Sequence, residues 1–232
     1  MIRACVTCIV VLLGALPARA AGRPVTVVAP DGTTLAAMFY EASPRPAPAV
    51  VLVHMLGRSK DEWIVVAERL EDAGITALAL DLRGHGRSGG NRSELPTMVG
   101  DVRAGVSWLA AHPSVRPDAL GIVGASLGAN LAGIAAAEMP AVRAIAMISP
   151  SLDYRGLRLD AGVMGKLGDR PVWLVASTED PYALRTVKEL AQEGTAREQR
   201  LSGLKGHGTT LLWGDADLSR ALVDWLRRSL IF

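Results

Sequence analysis

The sequence predicts an α/β domain with a mostly parallel sheet of about eight strands, helices on both faces and no large cap domain. Short segments rich in Val, Ile, Leu and Ala alternate with longer segments whose apolar residues recur at helical spacing, which is the pattern of strand–helix–strand units. Two of the short segments, residues 49–53 and 75–80, are almost entirely apolar, as expected of strands buried on both faces. A chain of 232 residues is long enough for one such domain.

The first 20 residues have the pattern of a secretory signal peptide. Arg3 gives a short positive start, residues 4–16 are mostly apolar, and Ala18-Arg19-Ala20 fits the small-x-small cleavage motif. We therefore expect cleavage near Ala20–Ala21, a single domain over residues 21–232, and a periplasmic or secreted protein. An uncleaved anchor and a misassigned start codon are the alternatives.

Charge and cysteine content narrow the classes of function. Removal of Arg3 and Arg19 with the leader would leave 23 basic residues against 23 acidic ones, so no basic field indicates nucleic-acid binding or an anionic membrane. Cys5 and Cys8 both lie in the leader, where an apolar segment offers no metal-ligand set. The mature chain is thus expected to have no disulfide and no cysteine nucleophile.

The first part of the mature chain is predicted to form a β-hairpin, a strand and a helix. Residues 25–28 and 35–41 flank the turn sequence Pro30-Asp31-Gly32, which is typical of an antiparallel pair. The strand 49–53 leads into a loop that begins with His54, and Asp61 is expected to cap the helix that follows.

The rest of the chain continues the alternation. After strand 75–80, the predicted elements are a helix at about 96–111, a strand at 120–123, a helix at 126–138, strands at 144–149 and 171–176, a helix at about 181–192, a strand at 197–201 and a helix at about 217–229. The largest irregular insertion, at about 150–170, is long enough for a flap but not for a cap domain.

The stretch Leu120–Asn130 reads L-G-I-V-G-A-S-L-G-A-N and contains the clearest chemical motif. Ser126 lies between Gly124 and Gly128 in a G-x-S-x-G sequence where a strand is predicted to turn into a helix. A serine on such a turn presents its hydroxyl above the edge of the sheet, and glycines leave room for the sharp turn and close strand–helix packing. The start of the helix also offers free N–H groups to an oxyanion.

A nucleophilic serine needs a histidine base that is oriented by a carboxylate. Asp180 follows the strand 171–176, and His207 follows the strand 197–201, so both are expected at the same edge of the sheet as Ser126. Asp180 could instead only cap the helix that starts at Pro181. His207, between two glycines, could be only a turn residue. The competing acids are Glu179 and, less favoured, Asp153.

The other histidines fit different roles. His112 precedes a proline at a helix end and is expected to be structural, and His85 comes before the nucleophile strand, out of order for the base. The loop that begins at His54 is expected to help form the oxyanion hole. One donor should be the N–H of Leu127, and the other should come from Leu56 or Met55.

Four motifs in order resemble the α/β-hydrolase superfamily over essentially all of the mature length. They are V-L-V-H-M-L-G at 51–57, D-L-R-G-H-G-R-S at 81–88, G-A-S-L-G at 124–128 and G-H-G-T at 206–209. The chain is most similar to small, minimally capped members, the dienelactone hydrolase-like and serine-aminopeptidase-like esterases. It departs from them at Met55, where glycine is usual after the histidine, and at Ser126, which replaces the cysteine of true dienelactone hydrolases and disfavours that reaction.

These observations predict a serine hydrolase that cleaves carboxylic esters through an acyl-enzyme formed on Ser126. A peptidase, amidase or thioesterase with the same triad is the first alternative, and a non-catalytic binding protein of the same fold is the second. A nucleotide-binding protein is disfavoured because no G-x-G-x-x-G or G-x-x-x-x-G-K-[ST] motif is present. The expected partner is a small ester or related acyl compound, with no metal, no cofactor, no nucleic acid and no stable membrane insertion after leader cleavage. Trp213 could line the pocket or pack in the core.

Overall fold

The computed structural model describes residues 22–231, and the predicted leader with its cleavage site lies outside this range. The strands are β1 (Arg23–Val28), β2 (Thr34–Tyr40), β3 (Ala47–Val53), β4 (Thr76–Leu80), β5 (Val115–Ala125), β6 (Val142–Ile148), β7 (Asp153–Tyr154), β8 (Leu157–Arg158), β9 (Val172–Ser177) and β10 (Arg197–Ser202). The helices are α1 (Ile64–Asp72), α2 (Met98–Ala110), α3 (Leu127–Glu138), α4 (Ala161–Leu167), α5 (Pro181–Leu190), α6 (Thr209–Gly214) and α7 (Ala216–Leu230).

Within the described range, eight strands form one sheet in the order β1-β2-β4-β3-β5-β6-β9-β10. Only β2 runs antiparallel to its neighbours, and the others are parallel. The registers Val53 with Gly124 and Ile148 with Val175 bring the carboxyl ends of β3, β5, β6 and β9 to one edge. The predicted fold class is confirmed, and this edge is where ligands bind in open parallel sheets.

The core has two layers because side chains alternate across each strand. All seven residues of β3 are buried. Val51 and Val53 face the layer formed with α2, α3 and α5, whereas Val50 and Leu52 face the layer formed with α1 and α7. Covering helices on both faces explain why this strand shows no polar alternation in the sequence.

The predicted cap at Asp61 is wrong. The Ser59 side chain accepts a hydrogen bond from the Asp61 N–H and starts a 3₁₀ turn at Lys60–Trp63 that leads into α1. The insertion at 150–170 is more ordered than expected, since it contains the short hairpin β7–β8 and helix α4, which is capped by Asp160. Both features depend on hydrogen bonds between residues that are close in the sequence, and hydrophobic periodicity does not predict such bonds.

The D-L-R-G-H-G-R-S turn after β4 is held by two buried ion pairs. Lys60 Nζ lies 3.1 Å from Asp81 Oδ2, and Arg83 Nη2 lies 2.6 Å from Asp101 Oδ1. A Cβ on Gly86 would lie 2.1 Å from the Asp81 carboxylate, and Gly86 has a φ of +53°. The residues of this motif therefore fix the conformation of the turn that follows β4.

None of the helices within residues 22–231 is long and apolar enough to cross a membrane.

Candidate active site

Ser126 lies at the sharp turn between β5 and α3. Its φ of 53° and ψ of −117° are in a region that side-chain-bearing residues rarely adopt, and such strain costs on the order of 1–3 kcal/mol. The Ser126 N–H donates to the Ile148 carbonyl at 2.9 Å, which fixes the turn against β6. The hydroxyl is thereby presented at the carboxyl edge of the sheet.

The two glycines that flank Ser126 are required by close backbone approach. A Cβ on Gly124 would lie 2.0 Å from the Gly128 carbonyl oxygen, and a Cβ on Gly128 would lie 2.2 Å from the Val53 carbonyl oxygen. Real Cβ atoms do not approach backbone atoms so closely. The G-x-S-x-G spacing therefore lets the first turn of α3 pack directly onto β3 and β5.

His207 joins Ser126 to Asp180 by hydrogen bonds. Its Nε2 lies 2.8 Å from Ser126 Oγ, and its Nδ1 lies 2.5 Å from Asp180 Oδ2. Because a carboxylate oxygen only accepts, the bond to Asp180 favours the tautomer with the proton on Nδ1, which leaves Nε2 free to accept from the serine hydroxyl. The His207 side chain is 49% exposed and the Asp180 side chain is 15% exposed, so the site is open to substrate.

Asp180 caps α5 and also contacts His207. The two roles that the sequence suggested as alternatives are therefore compatible. Oδ1 accepts a hydrogen bond from the Ala183 N–H at 3.1 Å, while Oδ2 contacts His207. The cap holds the carboxylate at the orientation that the imidazole needs. The competing acids are elsewhere: Glu179 is exposed, and Asp153 pairs with Arg158 at 2.8 Å.

The loop that carries His207 is anchored from below. The Gly208 N–H donates to the buried Ser149 hydroxyl at 2.9 Å, and Ser149 itself has a φ of 52°. Gly208 has a φ of +58°, and a Cβ there would lie 2.3 Å from Met55 Sδ. The histidine loop and the loop after β3 are therefore in direct contact through the Met55 side chain.

Two of the three N–H groups predicted for the oxyanion hole are available. Leu127 is the first residue of α3, so its N–H has no acceptor within the helix. The Leu56 N–H makes no hydrogen bond within residues 22–231. The Met55 N–H, in contrast, donates to Glu62 Oε1 at 2.9 Å. Leu56 and Leu127 are thus the pair whose donors are free.

Glu62 was not identified by the sequence analysis, although it lies beneath both loops of the site. It is 8% exposed, and burial raises its pKa to about 7. The Trp213 indole N–H donates to its carbonyl at 3.1 Å, and Trp213 remains half exposed. The Thr209 hydroxyl faces the carboxyl and lowers its pKa, but neither Glu62 Oε2 nor Thr209 Oγ1 has a partner of hydrogen-bond geometry. No pattern in the sequence predicts that Glu62 lies next to Thr209 and Trp213, which are about 150 residues away.

The remaining histidines, His54, His85 and His112, contact the backbone and other rings, and within residues 22–231 they make no hydrogen bond to Ser126 or His207. His54 Nδ1 lies 2.7 Å from the Met55 carbonyl, and its Nε2 accepts from the Leu82 N–H at 3.0 Å. Burial lowers the pKa of His54 to about 4, so the ring is neutral at physiological pH. The His85 ring packs against it in a tilted arrangement, with ring centroids 5.0 Å apart. His112 packs against Trp108 at the far side of the molecule.

The flap is fastened to the nucleophile helix by Asn130. This buried side chain donates to the Ser151 and Leu157 carbonyls at 2.7 and 2.8 Å and accepts from the Ser151 N–H at 3.0 Å. The final residue of the L-G-I-V-G-A-S-L-G-A-N stretch thereby orders the insertion next to Ser126. Across the described part of the chain, no group of three or more His, Cys, Asp or Glu side chains could hold a metal ion.

The chain is similar to several known proteins. Residues 44–189 match the family model described as serine aminopeptidase, S33. A polyketide transferase of Stachybotrys chlorohalonatus is 32% identical over 164 residues, which is 65% of this chain and 55% of that protein. An uncharacterized protein of Mycobacterium tuberculosis is 28% identical over 90% of this chain and 79% of its own. The chain thus spans only about half the length of the first of these relatives.

Solved structures with the same fold include hydrolases. A Pyrococcus furiosus esterase superposes with a TM-score of 0.78 at 19% identity, over 90% of this chain and 93% of its own. A dienelactone hydrolase from Anabaena variabilis superposes with a TM-score of 0.73 at 18% identity, over 90% of this chain and 98% of its own. At such identities the likeness describes the fold.

Proposed function

The chain belongs to the serine aminopeptidase S33 family of α/β-hydrolases, and from this premise we propose that it is a serine hydrolase that cleaves carboxylic esters. One observation carries the proposal: the hydrogen-bonded series from Asp180 through His207 to Ser126, with 2.5 and 2.8 Å between the bonded atoms. These residues have the types, order and contacts that an activated serine requires.

In the acylation step, Ser126 Oγ attacks the ester carbonyl carbon while its proton passes to His207 Nε2. Asp180 holds the imidazole in the tautomer that accepts this proton and stabilises the imidazolium that forms. The carbonyl oxygen becomes an oxyanion and accepts hydrogen bonds from the N–H groups of Leu56 and Leu127. Collapse re-forms the carbonyl and expels the alcohol, which takes the proton from His207.

In the deacylation step, a water molecule attacks the acyl-enzyme and gives its proton to His207. The second tetrahedral intermediate collapses, the acid is released, and the proton returns to the Ser126 oxygen. Preorganised donors such as the α3 N-terminus lower both barriers because they need no rearrangement as charge develops. Removal of one such donor typically costs on the order of 100-fold or more in kcat.

Acyl transfer to an acceptor other than water is a second candidate. It is favoured by the two relatives that are named polyketide transferases, at 32% and 29% identity. The same acyl-enzyme serves both reactions, and the open position of His207 leaves room for an alcohol or amine in place of water. Amide, peptide and thioester substrates use the same residues and differ in the leaving group.

Export is also part of the proposal. Residues 1–20 act as a cleaved signal peptide and residues 21–232 act as a single hydrolase domain in the periplasm or outside the cell. The sequence pattern at the N-terminus supports this. Intact-mass measurement of the protein recovered from the extracellular or periplasmic fraction tests it, and a mass that includes Met1 to Ala20 would contradict it.

Covalent labelling with a fluorophosphonate, followed by hydrolysis of p-nitrophenyl esters, tests the proposed reaction. We expect label on the wild type and none on Ser126→Ala, with kcat lowered by roughly 10⁴-fold or more in Ser126→Ala and His207→Ala. Asp180→Asn keeps the helix-capping oxygen, so its loss of activity would report on the imidazole. Glu179→Gln is the matched control and should retain activity. A folded wild type that takes no label would refute the hydrolase and favour a binding protein.

A further inference from the structure

A cleft of about 560 Å³ opens beside the loop that begins at His54 and contains Leu56. Its lining includes Leu56 and Gly57 together with Arg92 and Arg155. No acidic side chain in the described part of the chain lines this cleft. A group bound here would therefore meet two cations within reach of the proposed Leu56 donor.

Arg155 occupies a backbone conformation that disfavours arginine. It is at the tip of the β7–β8 hairpin with a φ of 51°, and it precedes Gly156 with a φ of 91°. Two-residue hairpin turns with positive φ at both positions prefer Asn-Gly or Gly-Gly. Within residues 22–231, the other non-glycine residues with positive φ are Ser126 and Ser149. Both belong to the candidate active site, and backbone strain concentrates at functional positions.

The hairpin and the Arg92 segment are both held in place. Asn130 fastens the hairpin to α3 through the Ser151 and Leu157 backbone. The Arg92 backbone packs on the turn after β4 so closely that a Cβ on Gly84 would lie 2.2 Å from the Arg92 nitrogen. The two guanidinium groups are thus carried by fixed backbone.

The acidic groups near these arginines are already paired with other residues. Asp153 binds Arg158 at 2.8 Å, and Glu94 lies 3.4 Å from Arg83. Neither Arg92 nor Arg155 is within ion-pair distance of a carboxylate in residues 22–231. The Arg155 guanidinium group lies over the face of the neighbouring Tyr154 ring, 5.8 Å from the ring centroid.

We propose that Arg92 and Arg155 bind an anionic group of the substrate, so that the enzyme prefers esters that carry a carboxylate. This proposal rests on the proposed ester hydrolysis and names its substrate class. Arginine is suited to the role because its planar fork can bind a carboxylate with two hydrogen bonds. The anion lies in the cleft while the ester carbonyl lies between Ser126 and the Leu56 N–H.

Paired substrates that differ only in one charge test the preference. p-Nitrophenyl hydrogen glutarate and its methyl ester compare an anionic with a neutral acyl chain, and 4-acetoxybenzoate and its methyl ester make the same comparison on the leaving group. We expect kcat/KM to favour the anionic member of one pair by roughly 10-fold at low ionic strength, with most of the preference lost in 0.5 M NaCl. The pair that shows it assigns the anion to the acyl or alcohol side.

Arg155→Asn and Arg92→Ala should each reduce the preference by about 2- to 5-fold, as expected for a partly exposed charged contact. Asparagine tolerates positive φ, so the hairpin should stay as stable or gain stability, and misfolding cannot explain the loss. Arg227→Ala, on the exposed side of α7, removes the same charge away from the cleft and should leave the ratio unchanged. Arg155→Lys should restore part of it.

Neutral esters separate this proposal from the proposed function. Hydrolysis of neutral esters with no anionic preference, or with a preference that both arginine variants retain, would overturn the arginine assignment and leave the hydrolase intact. If no ester is hydrolysed, binding of glutarate measured by calorimetry decides the assignment alone. Binding to wild type that Arg155→Asn weakens would support it, and no binding would overturn it.

Discussion

Replacement of the buried Glu62 by glutamine should change how the stability of the protein depends on pH. The variant keeps an acceptor oxygen toward the Met55 N–H, which is 2.9 Å from Oε1 in the wild type, and removes the ionisable group. Burial raises the pKa of Glu62 from 4.5 to about 7. Between these pH values the folded protein therefore keeps a proton on this carboxyl that the unfolded chain has released.

The sign and size of the effect follow from this difference in bound protons. Because the folded state binds more protons, the free energy of unfolding contributed by Glu62 is fully present below about pH 4.5, falls as the pH rises, and stays low above about 7. Each pKa unit corresponds to about 1.4 kcal/mol, so the loss between pH 5 and pH 8 is about 2.5 kcal/mol. Glu62→Gln has no such loss, so the difference in the free energy of unfolding, variant minus wild type, should increase by about 2.5 kcal/mol between pH 5 and pH 8.

His54 contributes a pH dependence of the free energy of unfolding that has the opposite sign. The comparison between wild type and Glu62→Gln removes this contribution. Burial lowers its pKa to about 4, so its contribution to the free energy of unfolding rises with pH between about 4 and 6.5. Both proteins contain His54, and its effect cancels when the variant is subtracted from the wild type. The wild-type curve alone would hide much of the Glu62 effect.

Urea unfolding at pH 5, 6, 7 and 8, followed by tryptophan fluorescence, measures the difference. The linear dependence of the free energy on urea gives the value at each pH. Glu179→Gln removes an exposed carboxyl next to Asp180 and is the matched control for the loss of one carboxyl group. A Glu62→Gln difference that is constant within about 0.5 kcal/mol across this range would refute a raised Glu62 pKa.

Other substitutions test the contacts that support the site. Gly208→Ala should lower the free energy of unfolding by about 1–3 kcal/mol and reduce kcat/KM, because its Cβ would meet Met55 Sδ at 2.3 Å; unchanged urea unfolding and kinetics would contradict this. Asn130→Ala removes three hydrogen bonds to the flap and should speed proteolysis of residues 150–160 and cost about 1–3 kcal/mol; equal cleavage rates would argue against the anchor. Arg83→Met leaves the buried Asp101 carboxylate without its main partner and should cost about 3–5 kcal/mol in thermal or urea unfolding; a cost below 1 kcal/mol would contradict it.

Much of the fold was predictable because it depends on local patterns. The apolar residues of β3 and the helical spacing in α7 indicate their elements without reference to the rest of the chain. The predicted residues Ser126, Asp180 and His207 follow the ends of β5, β9 and β10, and a parallel sheet brings those ends to one edge. The structure places them within hydrogen-bond distance, while their catalytic roles stay predictions.

The supporting contacts were not predictable because they join residues that are distant in the sequence. Glu62 and Met55 are only seven residues apart. Their contact supports the histidine loop because the Met55 side chain packs against Gly208, which is distant in the sequence. Asn130 holds a segment more than 20 residues away. No periodicity, cap or motif encodes such pairs, since they exist only after the strands have paired in register.

The sequence by itself determined the α/β class, the order of the elements and the residues expected to carry the chemistry, because each depends on side chains a few positions apart. Only the tertiary structure decided that Leu56 rather than Met55 offers a free N–H, that Asp180 both caps α5 and bonds to His207, and that Arg155 lines a cleft together with Leu56. These depend on which backbone groups remain unpaired and which side chains meet after folding. Both are outcomes of packing that local residue types do not specify.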